Sequence, residues 1–213
     1  MIIDLSRDSD YRTQLNNKLV PLSSCNTTAM CMALEASGVP LPERPGVQPE
    51  DDLTAVTETP EAYAEMARGY PWAFAGSKPI YPPRQVHGML SWATNRWLGR
   101  PVTRFREDVP IEELLADLAQ GRACVVSGRF TASGHMVALV GVETDQVFAG
   151  WTTPDNVELA SIRALIIDDP YGDYHTGYKD HRGNGCSFSL AEFSSLTREY
   201  DRYTKWAHQI IGG

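Results

Sequence analysis

A chain of 213 residues can bury one well-filled core, and with no proline-rich or glycine/serine-rich linker to divide it, residues 1–213 read as a single domain. The 42% hydrophobic and 22% charged residues are ordinary for a globular protein, and no apolar run approaches the ~20 residues of a membrane span, so no membrane partner is expected. A formal net charge of −8 without any Lys/Arg cluster argues against nucleic acid, whose phosphates are bound through clustered cations.

The first residues, Met1 to Gln14, lack both a basic leader and an apolar stretch, so no signal peptide is expected and the protein is expected to be cytoplasmic, or released or virion-associated. Four cysteines, Cys25, Cys31, Cys124 and Cys186, are too few and too unevenly spaced for a disulfide framework and read as free thiols.

Along the chain, Ser23 and Ser24 offer N-cap oxygens, Met30, Ala33 and Leu34 recur at helical spacing, and Gly38 with Pro40 supplies a stop, predicting a helix from about Cys25 to Ser37. Prolines 40, 42, 45 and 49 predict a loop from Val39 to Asp52, followed by a short helix from Pro60 to Arg68 that Thr59 can cap. Val86, Met89, Leu90, Ala93 and Trp97 mark a core-facing helix from about Pro83 to Leu98, and Ile111, Leu114, Leu115 and Leu118 mark another from Pro110 to Gln120.

The period then changes. Ala123 to Phe130 and His135 to Val142 are β-rich runs joined by Thr131-Ala132-Ser133-Gly134, which is turn chemistry at hairpin length. A third strand, Ala164 to Asp168, ends at Asp169-Pro170-Tyr171-Gly172. After a glycine-rich stretch from Gly172 to Gly185 come a short strand near Cys186 to Ser189 and a helix from about Leu190 fraying into Tyr200 to Tyr203. Helices first and antiparallel strands second predict an α+β fold.

Cysteine is a strong nucleophile only as the thiolate, and a helix N-terminus is one place that favours it: unpaired N–H groups and aligned peptide dipoles stabilise a nearby negative charge. Cys25 has that position. A free cysteine is equally at home as a small core residue, so position alone leaves both readings open. His135 begins an otherwise apolar strand directly after Gly134, where a ring can enter a cleft and act as acid and base. Asp168 and Asp169 end the next core strand, and either can orient that imidazole, because neighbouring strand residues point to opposite faces.

The segments Gln14-Leu15-Asn16-Asn17, Ser24 to Met30, Gly134 to Gly141 and Asp169-Pro170-Tyr171-Gly172, with Gly177-Tyr178 and Gly183 in the loop that follows, resemble in order the motifs of the bacteriocin-processing (double-glycine leader) peptidase-like family, a papain-like cysteine peptidase family, in its soluble phage and bacterial form. The resemblance runs from about residue 11 to about 190. It implies a papain-like fold in which an N-terminal helical part carries the nucleophile and a C-terminal antiparallel sheet carries the histidine and aspartate. It further implies Cys25 as nucleophile, His135 as general base and acid, Asp169 as the orienting group and Gln14 as oxyanion-hole donor, with no cofactor. Here Gln14 stands eleven residues before Cys25 and Asn26 replaces a glycine common among relatives, so Asn16 and Asn17 stay open as donors and Asp168 stays open beside Asp169.

The expected activity is hydrolysis of a peptide or amide bond through a thioester, on a peptide, propeptide or peptidoglycan substrate. An acyltransferase or amidase with the same triad, or a catalytically idle binding or structural module, are the alternatives. A metal site is not expected: Cys25 and Cys31 with His175 and His181 have the wrong spacing for zinc. Cys31 and Cys124 read as core, His87 and His208 as structural, and Tyr70, Trp72, Phe74 and Tyr81 as the wall of a substrate groove.

Overall fold

The computed structural model describes residues 1–197 and 204–212. In chain order they form strand β1 (Ile2–Asp4), helices α1 (Cys25–Ala36), α2 (Pro49–Thr57) and α3 (Pro60–Gly69), and a two-stranded ribbon of β2 (Phe74–Ala75) and β3 (Lys78–Pro79). Next come α4 (His87–Leu98), β4 (Thr103–Pro110), α5 (Ile111–Ala119), β5 (Cys124–Gly128), β6 (His135–Thr144), β7 (Ile162–Asp169), β8 (Gly183–Phe188), α6 (Leu190–Leu196) and β9 (Thr204–Ile210).

The main sheet is antiparallel with the order β4-β9-β5-β6-β7-β8, and β1 pairs with the far half of β6. Its central strands are apolar on both faces because both are covered. Val125, Met136, Ala138 and Val140 pack with α1 and α4, whereas Cys124, Val126, Val137 and Leu139 pack with α5, α6, Phe130 and Phe188. Helix and antiparallel sheet are thus combined as expected, but strands do not simply follow helices: β1 opens the chain and β4 precedes α5.

Several elements depart from the sequence reading. The expected 39–52 loop already contains the start of α2, with Pro49 at its first turn and Glu50, Asp51 and Asp52 following, a proline-then-acid arrangement that suits a helix N-terminus. The helix expected from Pro83 starts at His87, because Pro83–Gln85 is a separate 3-10 turn and Val86 is extended. Strand β4 escapes notice because its sequence, Thr-Arg-Phe-Arg-Glu-Asp-Val-Pro, is that of a charged edge strand with a bulge between Arg106 and Val109. At the C-terminal end β9 fills the place between β4 and β5, while the frayed helix expected over Tyr200, Asp201, Arg202 and Tyr203 lies outside the described residues.

The loop between β7 and β8 folds back so tightly that Gly183, paired with Asp169, leaves no room for a side chain: a Cβ there would lie 2.3 Å from the Asp169 carbonyl oxygen and 2.6 Å from that of Gly172. Both obstacles are backbone. Gly183→Ala is therefore expected to destabilise the fold by ~1–3 kcal/mol, as overpacking does, read as a lower urea midpoint than wild type.

Candidate active site

Helix α1 begins at Cys25 itself, so the thiol sits where the helix's first N–H groups have no intrahelical partner. Ser24 occupies the N-cap position but does not cap with its side chain. Its hydroxyl accepts instead from Asn17 Nδ2 at 2.9 Å, and the same amide also donates to Thr28 Oγ1 at 2.9 Å. Asn26 fixes the other side, donating from Nδ2 to the Arg84 carbonyl and accepting at Oδ1 from the Thr27 N–H. The nucleophile candidate is half-buried and its flanking residues are locked.

His135 is the first residue of β6, paired with Gly128 at the mouth of the β5–β6 hairpin. Gly134 before it takes φ +86°, a conformation that suits glycine, and the turn is closed by the Gly134 N–H on the Thr131 carbonyl. Asp169 is the last residue of β7, the strand next to β6. The two side chains meet: His135 Nε2 lies 2.7 Å from Asp169 Oδ1, and both are almost fully buried.

Strand alternation separates the two candidate acids. Asp168 turns away from His135, its carboxylate accepting from Ser6 Oγ at 2.7 Å and from the Gly185 N–H at 2.8 Å. Asp169 Oδ1 takes a second donor, the Tyr171 N–H at 2.8 Å, which fixes the plane of the carboxylate. With Nε2 held by Asp169, Nδ1 is the ring nitrogen left for Cys25.

The electrostatics follow from these contacts. Burial pushes the Cys25 thiol up, but the hydrogen bond and charge of His135, with the N–H groups of Met136 and Asn26, outweigh it and hold the thiol below its ordinary value. Burial also works against charge on His135, yet its bonds to Asp169 and Cys25 raise it to about 10. Both shifts favour a thiolate beside an imidazolium. The other thiols go the opposite way, because burial pushes Cys31 and Cys124 well above the ordinary range and Cys186 to about 12.

Gln14 is buried on a 3-10 turn (Gln14–Asn16) that is tied to the acid's strand end by the Gln14 N–H on the Pro170 carbonyl. Its Nε2 donates to the Pro21 carbonyl at 2.8 Å, and its Oε1 is buried with no protein partner. Cys25, His135 and Asp169 are thus in one chain of contacts, with Gln14 attached to the same framework through main-chain bonds. Of the alternative amides, Asn17 has both Nδ2 protons engaged and Asn16 is exposed.

Residues absent from the sequence-based site also surround it. Phe130, Tyr171 and Tyr178 ring the imidazole of His135 at centroid distances of 6.5, 6.1 and 6.4 Å. Tyr171 and Tyr178 lie in the Asp169-Pro170-Tyr171-Gly172 and Gly177-Tyr178 motifs, which gave neither of them a role, and Phe130 lies at the end of the first hairpin run. His87 and His208, read as structural, both pack against Phe105, and His208 Nδ1 lies 2.8 Å from Ser91 Oγ. Tyr70, Trp72 and Tyr81 form an edge-to-face cluster with Trp72 and Tyr81 exposed. Among the described residues, no group of three or more His, Cys, Asp or Glu could hold a metal ion, and no helix is long and apolar enough to cross a membrane.

Two outcomes follow from the charge state. In the folded protein near neutral pH, iodoacetamide should label Cys25 far faster than Cys31, Cys124 or Cys186; peptide mapping with equal labelling at all four would refute the ion pair. Because His135 is raised above its unfolded value, its contribution to stability is complete below the ordinary imidazole range and is lost as pH climbs through about 10. The stability gap between wild type and His135→Gln in urea should therefore narrow between about pH 6 and pH 10.

No curated protein and no solved structure matches the chain. A family model does match, over residues 7–194, a span that begins just before the Gln14 segment, takes in Cys25, His135 and Asp169, and runs into α6. The chain belongs to the Peptidase_C39 like family.

Proposed function

We propose that this protein is a papain-like cysteine hydrolase that cleaves a peptide or amide bond through a thioester intermediate. The observation that carries the reading is the continuous contact from the helix-terminal Cys25 through His135 to a doubly bonded Asp169. Membership of a peptidase-like family supports it.

In this reading the Cys25 thiolate attacks the carbonyl carbon, and electrons move onto the carbonyl oxygen to give a tetrahedral intermediate. The His135 imidazolium passes its proton to the leaving nitrogen as the C–N bond breaks, so an amine departs and the acyl group stays on sulfur as a thioester. Neutral His135 then takes a proton from water, whose oxygen attacks the thioester. The carboxylic acid leaves and the thiolate–imidazolium pair is restored. Asp169 holds the ring so that one nitrogen faces the sulfur throughout.

For the oxyanion we assign the second Nε2 proton of Gln14, the first being held by the Pro21 carbonyl, together with the Cys25 main-chain N–H. A donor of this kind contributes ~2.7–4 kcal/mol to transition-state binding. The substrate class we assign is a peptide, with the stem or crossbridge peptides of peptidoglycan and a bacterial propeptide as the two forms to be distinguished.

Wild type and Cys25→Ala should be compared on purified peptidoglycan and on a peptide library by following released amines. Release is expected in wild type and to be lost with Cys25→Ala; residual release in that variant would mean another nucleophile. Asp169→Asn should lower kcat/KM by ~10²-fold or more while the fold is kept, since the wrong imidazole tautomer or orientation is favoured.

A further inference from the structure

The loop between β7 and β8 carries one residue in a conformation its side chain does not favour. Tyr178 has φ +61°, a left-handed backbone that costs a non-glycine residue ~1–2 kcal/mol. It follows Gly177, also left-handed, and its N–H is fixed to the Asp173 carbonyl at 3.1 Å. The effect of this kink is to send the phenol back over the site. Its ring lies 4.9 Å from that of Tyr171 and 6.4 Å from the His135 imidazole.

The hydroxyl has two acceptors within reach, the Phe130 carbonyl at 3.1 Å and Asp169 Oδ2 at 3.3 Å. A phenol has one proton, so it donates to one of them at a time. Phe130 belongs to the β5–β6 connection that leads into His135, and Asp169 ends β7. The hydroxyl therefore sits between the two chain segments that present the base and its acid, within reach of either. Oδ1 of Asp169 already receives the His135 ring and the Tyr171 N–H, whereas Tyr178 is the donor on Oδ2.

We propose that Tyr178 is a positioning residue that acts through Asp169, its hydroxyl holding the carboxylate in the orientation that keeps His135 charged beside Cys25. The proposal rests on the Cys25–His135–Asp169 reading above. Burial, and then the charge of Asp169, push the Tyr178 hydroxyl far above the ordinary phenol range, so it stays a donor wherever the pair is charged. Tyr178 itself touches no reacting atom. Its influence reaches the sulfur only through the carboxylate and the imidazole.

The test is the pH dependence of Cys25 alkylation by iodoacetamide, which needs no knowledge of the substrate. It is measured in wild type, Tyr178→Phe, Asp169→Asn and the double variant, with Tyr171→Phe as a control that keeps the main-chain N–H on Asp169. Tyr178→Phe should raise the acid midpoint by about half to one pH unit, as loss of one hydrogen bond behind the ion pair would. Tyr171→Phe should leave it in place. In the Asp169→Asn background Tyr178→Phe should add nothing, because the group through which it acts is gone.

A Tyr178→Phe profile that superimposes on wild type overturns the proposal, as does a shift that survives at full size in Asp169→Asn. A wild-type Cys25 that titrates as an ordinary thiol overturns the underlying catalytic reading instead. If Tyr178→Phe does not fold, 3-fluorotyrosine placed at position 178 keeps the shape and strengthens the donor. It must then move the midpoint more than the same substitution at Tyr171, and an equal response at both would overturn the proposal.

Discussion

The hydrogen bond between His135 Nε2 and Asp169 Oδ1 spans two strand ends, and nearly every other feature near Cys25 can be traced to the need to make it in a dry place. An imidazolium buried without a partner would lose its proton, since taking a charge out of water costs several kcal/mol even after relaxation. Asp169 answers that cost on one side of the ring and Cys25 on the other. The carboxylate in turn needs donors, which the Tyr171 N–H and the Tyr178 hydroxyl provide. The chain of dependence therefore starts at a loop tyrosine and ends at sulfur.

The N-terminal segment is the second support, and it is built around the same strand end. Tyr11 donates to the Asp169 carbonyl at 3.0 Å and accepts from the Gly183 N–H at 2.9 Å, while Thr13 and Gln14 both bond the Pro170 carbonyl. Between them, Arg12 pairs with Glu35 of α1 at 2.8 Å and with the buried Glu50 of α2 at 3.1 Å. Further on, Asp51 of α2 accepts from the N–H groups of Lys18 and Leu19, holding the approach to Cys25. One strap thus ties helix α1, helix α2 and the end of β7 together. Buried partners of this kind matter more than surface ion pairs, because removing Arg12 would leave Glu50 without its compensating charge.

How much of this could be read from the sequence depends on whether the signal was local. Helix α1, the β5–β6 hairpin and the end of β7 announce themselves through period, caps and turn residues, and these three elements place Cys25, His135 and the Asp168-Asp169 pair. Choosing between the two acids required the pleat: adjacent residues face opposite sides, and only the register of β7 on β6 and β8 tells which side holds the imidazole. Strand β4 was hidden because an edge strand with a charged face has no apolar alternation to detect. Tyr178 was present as a motif but without a role, since its contact with Asp169 exists only after the chain has turned through the whole loop from Pro170 to Arg182.

In the proposed mechanism Cys25 is a thiolate in the resting protein because His135 is protonated beside it. Its most direct test is the pH titration of the thiolate ultraviolet absorbance, taken as the difference between wild type and Cys25→Ala. The thiolate is expected to be already formed at neutral pH and to disappear only well below the ~8.5 at which a free cysteine titrates. A Cys25 signal that rises only around ~8.5 would contradict it.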